Sequence, residues 1–146
     1  MISENLKSWK FHKLIALLLS VLLFALSLFT IIYTVQPENV SFRGYEAFLL
    51  GWMDLSGAGI AWFANPLSVI AILLFLFNQL KASYVIGFVA LAFGLGFIVY
   101  ESFFTNAIHD HIKIGLSYVF WIASIFNICF AALYLINWRK KRSLNR

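Results

Sequence analysis

Long apolar runs alternate with short polar segments along this chain, and several runs have the length of a membrane crossing. Residues 14–35 carry no charge. As a helix they extend roughly 33 Å, enough to span a hydrocarbon core of about 30 Å. Residues 84–104 form another such run, interrupted only by Glu101 near its end. Residues 114–138 form a further one, with Asn127 as its strongly polar interior residue. Lys7, Lys10 and Lys13 precede the first run, as in a cleaved signal peptide. The run is too long for that and continues past Ala25-Leu26-Ser27, its one weak small-residue site, so a retained helix is expected.

The stretch 47–77 is too long for one untilted crossing and contains Asp54 and Asn65-Pro66. It divides. Phe42, Tyr45, Phe48, Leu49, Trp52 and Leu55 recur at three- and four-residue spacing, with Arg43, Glu46 and Asp54 between them. This stripe predicts an amphipathic helix over 42–56 lying in the membrane interface. Gly57-Ala58-Gly59 permits a bend, and the second crossing is expected over 60–77. Asn65-Pro66 is a favoured N-cap and N1 pair, so the regular helix starts there or Pro66 kinks a helix begun at Ile60. The expected architecture is all-α: a polytopic membrane protein with four transmembrane helices (14–35, 60–77, 84–104, 114–138) and the interfacial helix between the first two. A terminal segment 1–13 and a basic tail 139–146 flank it.

Composition agrees. Of 146 residues, 62% are apolar and 12% charged, against about 25% charged in a soluble domain. The net charge of +5 is placed at the apolar-run ends, above all in Arg139-Lys140-Lys141-Arg142. That placement marks a membrane stop, not the basic face interleaved with polar and aromatic residues that nucleic acid requires. If the N-terminus is cytoplasmic, nine of the eleven Lys and Arg fall on that side, leaving Arg43 and Lys113 opposite. The positive-inside rule then predicts both termini in the cytoplasm. Cys129 stands alone within an apolar run, where cysteine acts as a small packing residue.

The most distinctive segment is Gly51-Trp52-Met53-Asp54-Leu55-Ser56-Gly57-Ala58-Gly59-Ile60-Ala61-Trp62-Phe63-Ala64-Asn65-Pro66-Leu67. Its GW…G…AW-x-ANPL pattern resembles a stretch of uncharacterised small bacterial four-helix inner-membrane proteins, over 17 residues plus the general hydropathy. Asp54 departs from the pattern, standing where a small or apolar residue is expected. The resemblance implies a bacterial inner membrane and carries no known activity. Read from the residues, Gly51 and Gly57 permit close backbone approach, while Trp52 and Trp62 suit the outer interface. Asn65 is placed to satisfy backbone groups freed around Pro66. The segment is either a helix break with packing glycines or a re-entrant turn lining a small pocket.

His109-Asp110-His111, with Glu101 upstream, is the one cluster with metal-ligating residue types, weighed against a solvated loop, which explains the same residues. No metal or other cofactor is expected. Glu101 is a proton-relay candidate if buried, but its place near the run's end suits the interface or a pairing with Arg43 or Lys113. Ala90-x-x-x-Gly94 and Ala92-x-x-x-Gly96 fit helix–helix packing within the bundle. These features predict a non-enzymatic interaction protein, an accessory subunit or an immunity-like protein. Its partners are the lipid bilayer and another membrane protein or a second copy. The alternative is an oligomeric subunit of a small transporter or channel.

Overall fold

The structure is a computed structural model that describes residues 2–35, 39–53, 57–104 and 112–144. Its elements run α1 (Ile2–Phe29), β1 (Ile31–Val35), β2 (Val40–Arg43), α2 (Gly44–Leu50), α3 (Ala64–Leu76), α4 (Leu80–Phe104), β3 (Ile112–Ile114) and α5 (Leu116–Leu144). Short 3₁₀ segments occupy Gly51–Met53 and Gly57–Phe63. Four helical spans are long and apolar enough to cross a membrane: Ser8–Phe29, Gly59–Leu76, Leu80–Tyr100 and Leu116–Lys141.

α5 is the central helix, packed against α1 on one side and α4 on another, with α3 against α4. Its buried residues Tyr118, Trp121, Ile125, Ile128, Ala132 and Leu135 alternate spacings of three and four, the seam geometry of helices crossing at a shallow angle. Phe75, Leu80 and Ala90 complete the core from α3 and α4. The opposite faces stay apolar: Leu14, Leu18 and Leu22 of α1 are about half exposed. A water-facing helix would place charge there, and none stands at these positions.

α1 ends at Phe29, six residues before the expected end of the first crossing, and the chain continues into a three-stranded sheet. The fold is therefore not purely α-helical. β1 is central, antiparallel to β2 on one side and β3 on the other. Tyr33 faces Phe42 and Ile114, and Thr34 faces Ser41 and Lys113. The run Ile31-Ile32-Tyr33-Thr34-Val35 consists of strand-favouring β-branched and aromatic residues. Hydropathy alone does not separate it from the helix before it, because apolar strand and apolar helix score alike.

The expected interfacial helix over 42–56 is split. Phe42 and Arg43 belong to β2, Gly44–Leu50 is the helix, and Gly51–Met53 is a 3₁₀ turn. The Glu46 carboxylate accepts the Arg43 backbone N–H at 2.6 Å, fixing the start of α2 as in half a capping box. Asp54 and Leu55 lie outside the described residues.

The second apolar span is 3₁₀ from Gly57 to Phe63 and becomes α-helical at Ala64. Asn65 is accordingly not an N-cap. Phe63 precedes the helix in helical conformation with no side-chain cap, and Asn65 and Pro66 sit within the first turn. There the missing proline N–H breaks no interior α-helical bond. The regular α-helix thus begins at Ala64, next to the Asn65-Pro66 start of the first sequence reading, with 3₁₀ structure before it.

α3 and α4 are joined by a tight turn at Phe77-Asn78-Gln79. Asn78 takes a left-handed conformation (φ 64°). Its N–H reaches Phe75 O at 3.1 Å while that of Gln79 reaches Leu74 O at 2.8 Å, a Schellman closure.

Candidate functional site

The serines inside this bundle follow one rule. Among the described residues all six buried serines, Ser20, Ser27, Ser68, Ser83, Ser117 and Ser124, donate their hydroxyl to a backbone carbonyl. Four of these bonds cross between helices. Ser20 Oγ and Ser124 Oγ each donate to the other residue's carbonyl, at 3.2 and 2.8 Å, and one heptad further on Ser117 Oγ donates to Ser27 O. The residue numbers of both pairs add to 144, the mark of antiparallel helices held in one register. Asn127 extends the seam by one turn, its Nδ2 donating to Ala16 O at 2.9 Å and to Ser20 Oγ at 2.7 Å. Elsewhere Ser83 donates to Ala71 O, tying α4 to α3, and Tyr118 to Gly94 O, tying α5 to α4. In hydrocarbon such bonds satisfy donors that have no water to turn to, and small residues let the helices approach.

The sheet is seated on this seam by two glycines. Gly44 N donates to Thr30 O at 3.0 Å and Gly115 N to Ile32 O at 2.7 Å, one from each flank of the α1–β1 junction. A side chain at Gly44 would overlap the Ser27 carbonyl, and one at Gly115 the Ile31 carbonyl. Aromatic rings continue the link downward. Phe42, Tyr33, Phe97, Tyr118 and Trp121 follow one another at centroid separations of 5.0, 6.4, 5.7 and 5.7 Å.

At the other end, Lys13 on α1 closes the carboxyl terminus of α3. Its Nζ donates to Leu76 O at 2.8 Å and to Asn78 Oδ1 at 2.7 Å. A cation at this position satisfies an orphan carbonyl and complements the helix dipole. Replacing Lys13 with methionine keeps the apolar stem and removes both bonds. The expected loss is about 1–2 kcal/mol, read as a lower melting temperature in detergent, with Lys13→Arg retaining part of it.

The distinctive segment behaves largely as packing. Gly51 lies against the Trp62 indole, where an added Cβ would come within 2.7 Å of Cδ1. Trp62 Nε1 donates to Phe48 O at 2.9 Å, clasping α2 to the 3₁₀ segment. Trp52 is exposed, Gly57 opens the 3₁₀ segment, and Asn65 is buried with its carbonyl accepting from Ser68 at 2.8 Å. Ile60 and Ala61 also line an open apolar groove of about 410 Å³ against α4, opposite Ala92, Phe93 and Gly96, with Tyr100 at one end. The two small-residue pairs therefore part company. Gly94 packs inward on Trp121 and Ile122, whereas Gly96 has nothing within 4 Å of an added Cβ.

His109, Asp110 and His111 lie outside the described residues. The Glu101 backbone belongs to the end of α4, and its side chain is likewise outside the described ones. Among the described residues no three His, Cys, Asp or Glu side chains are grouped to hold a metal. The serine seam and the seating glycines Gly44 and Gly115 escaped the sequence reading. Serines seven apart at 20 and 27, matched by serines seven apart at 117 and 124, were the available signal. No protein-family model, curated protein or solved structure matches this chain.

Proposed function

We propose that this chain is a small integral protein of a bacterial inner membrane, with both termini cytoplasmic, acting through interaction and not through catalysis. It works as an accessory subunit or an immunity-like protein, with the bilayer and another membrane protein as its partners and no nucleic acid. One observation carries the reading: among the described residues the buried polar groups are uncharged, and all six serines are engaged in tying the bundle together. Charged groups within the bundle are the usual mark of a transport path or a membrane-embedded active site, and among the described residues none is buried there. The surfaces left for recognition are the sheet at one end and the helix faces.

A reporter fused after Arg146 is expected to read cytoplasm and one inserted within residues 37–46 the opposite side; a periplasmic C-terminus overturns the topology. For function, photo-crosslinkers at Thr34 and Val40 on the sheet are expected to give an adduct with one other membrane protein in intact cells. Ion or solute flux through proteoliposomes of the pure chain would overturn the interaction reading.

The second reading, a transporter or channel subunit that works as an oligomer, draws on the outward Ala92 and Gly96, which allow close approach of another helix. Cysteines at these two positions, in a Cys129→Ala background, would then crosslink copy to copy.

A further inference from the structure

We infer that the end of the bundle where α1 begins and α5 ends binds the headgroup of an anionic phospholipid, at the point where Trp9, Lys13 and Arg139 converge. The inference rests on the chain lying in a bilayer and is independent of which way the termini face.

The geometry places two cations on one indole. Arg139 lies 4.7 Å from the Trp9 ring centroid and Lys13 Nζ 5.8 Å from the same centroid, with Nζ also 5.9 Å from that of Phe75. Each cation is attracted to the ring, but the ring carries no net charge and leaves their mutual repulsion in place. Among the described side chains no carboxylate offsets it. Of the acidic residues, Glu46 on α2 and the Glu101 backbone at the end of α4 belong to the opposite end of the bundle. Glu4, nine positions before Lys13 on α1, lies about 13 Å from it along the helix and, by the register of α1 on α5, level with Arg139; its side chain is outside the described ones. Against it stand, among the described side chains at this end, Lys10, Lys13, Lys81, Arg139, Lys140 and Lys141.

Donors exceed acceptors here too. Lys13 uses two of its three N–H groups on Leu76 and Asn78, the Arg139 guanidinium offers a planar fork, and the buried Trp9 Nε1 has no acceptor among the described residues. A phosphate supplies both the missing charge and the missing acceptors, and an arginine beside it binds through paired N–H groups.

The surroundings select an amphiphile over a free anion. Within two turns of the cluster α1 exposes Leu14, Ile15 and Leu18, and α5 exposes Phe130, Leu133 and Tyr134. A molecule whose phosphate sits at Arg139 therefore has apolar surface beside it for acyl chains, and Trp9 stands at the depth where tryptophan favours the membrane interface.

The test uses the full chain purified in a neutral detergent, its melting temperature followed as phosphatidylglycerol, phosphatidylcholine or inorganic phosphate is added. Phosphatidylglycerol is expected to raise the melting temperature in a saturable way, and the other two to leave it in place. Arg139→Gln should weaken the apparent affinity about tenfold, with Arg139→Lys between it and the wild type. The double variant Lys140→Gln/Lys141→Gln removes more charge but none from the Trp9 ring, and should respond like the wild type. Lys13 is left intact because it also closes α3. An equal loss in Arg139→Gln and in the double variant would mean diffuse attraction only and overturn the site. An equal rise with phosphatidylcholine would remove the anionic preference, and one with inorganic phosphate would remove the lipid; either result overturns the assignment. A chain that fractionates with membranes yet shows no response to phosphatidylglycerol overturns this inference alone.

Discussion

Gly44→Ala is expected to unseat the sheet from the helices beneath it and to cost about 2–4 kcal/mol. The added methyl meets the Ser27 carbonyl, which is backbone, and lies 2.6 Å from Ser117 Oγ. Neither obstacle swings aside freely, because Ser117 Oγ is itself bonded to that same carbonyl. Relief requires β2 to lift, which also stretches the Gly44 N–H bond to Thr30 O. Overpacking of this kind costs about 1–3 kcal/mol, and a compromised buried hydrogen bond adds about 1 kcal/mol. Gly115→Ala should behave alike, since its methyl meets the Ile31 carbonyl from the other flank. Gly96→Ala is the control: it has open space around it inside a helix, so stability should hold or rise by up to about 1 kcal/mol. Equilibrium unfolding in mixed detergent measures all three. Equal stability of the Gly44 and Gly96 variants would show that the sheet is not held in this way.

The parts of this fold visible from sequence are those governed by local composition. Four apolar spans follow from length and hydropathy, because a helix closes its own backbone bonds and needs only apolar side chains around it. The sheet does not follow. Its central strand, Ile31–Val35, is as apolar as the helix before it, and its pairing with Ile112–Ile114 joins segments almost eighty residues apart. No local pattern announces such a partner. The described part of the 42–56 stripe, residues 42–53, is shared among a strand, a helix and a 3₁₀ turn, since three- and four-residue spacing also arises when apolar positions come from consecutive short elements.

The candidate site was legible in the same uneven way. Gly51 reads as a glycine of close approach and Trp62 as a residue of the outer interface, and the structure packs the two on each other. Asn65 was assigned a cap it does not make, because the 3₁₀ segment before it already supplies helical backbone. Serine carries little weight in hydropathy and is common in helices of every kind. Only the repetition at seven residues on two helices of opposite direction distinguishes the seam.

That seam is the second place where large effects are expected. Ser20→Ala removes one donor to α5 and the oxygen that receives Asn127 Nδ2, leaving Asn127 its bond to Ala16 O. Single hydroxyl bonds between membrane helices average about 0.6 kcal/mol, so Ser20→Ala should cost about 1 kcal/mol and Ser124→Ala somewhat less. Asn127→Ala loses both of its contacts to α1 and should cost about 1–2 kcal/mol. The double variant Ser20→Ala/Asn127→Ala should cost less than the two singles together, because the shared bond is lost only once; a coupling of about 0.5–1 kcal/mol is expected. Bulk has the larger effect. Ser20 and Ser124 are fully buried where α1 touches α5, so leucine at either position must part the helices and cost about 3 kcal/mol. Ser20→Leu should also weaken the adjoining clasp at Ser117 and Ser27, releasing the sheet end one heptad away, an effect readable as faster labelling of a cysteine at Val40 in a Cys129→Ala background. Strict additivity of Ser20→Ala with Asn127→Ala, together with a tolerated Ser20→Leu, would mean that α1 and α5 are held by apolar packing alone.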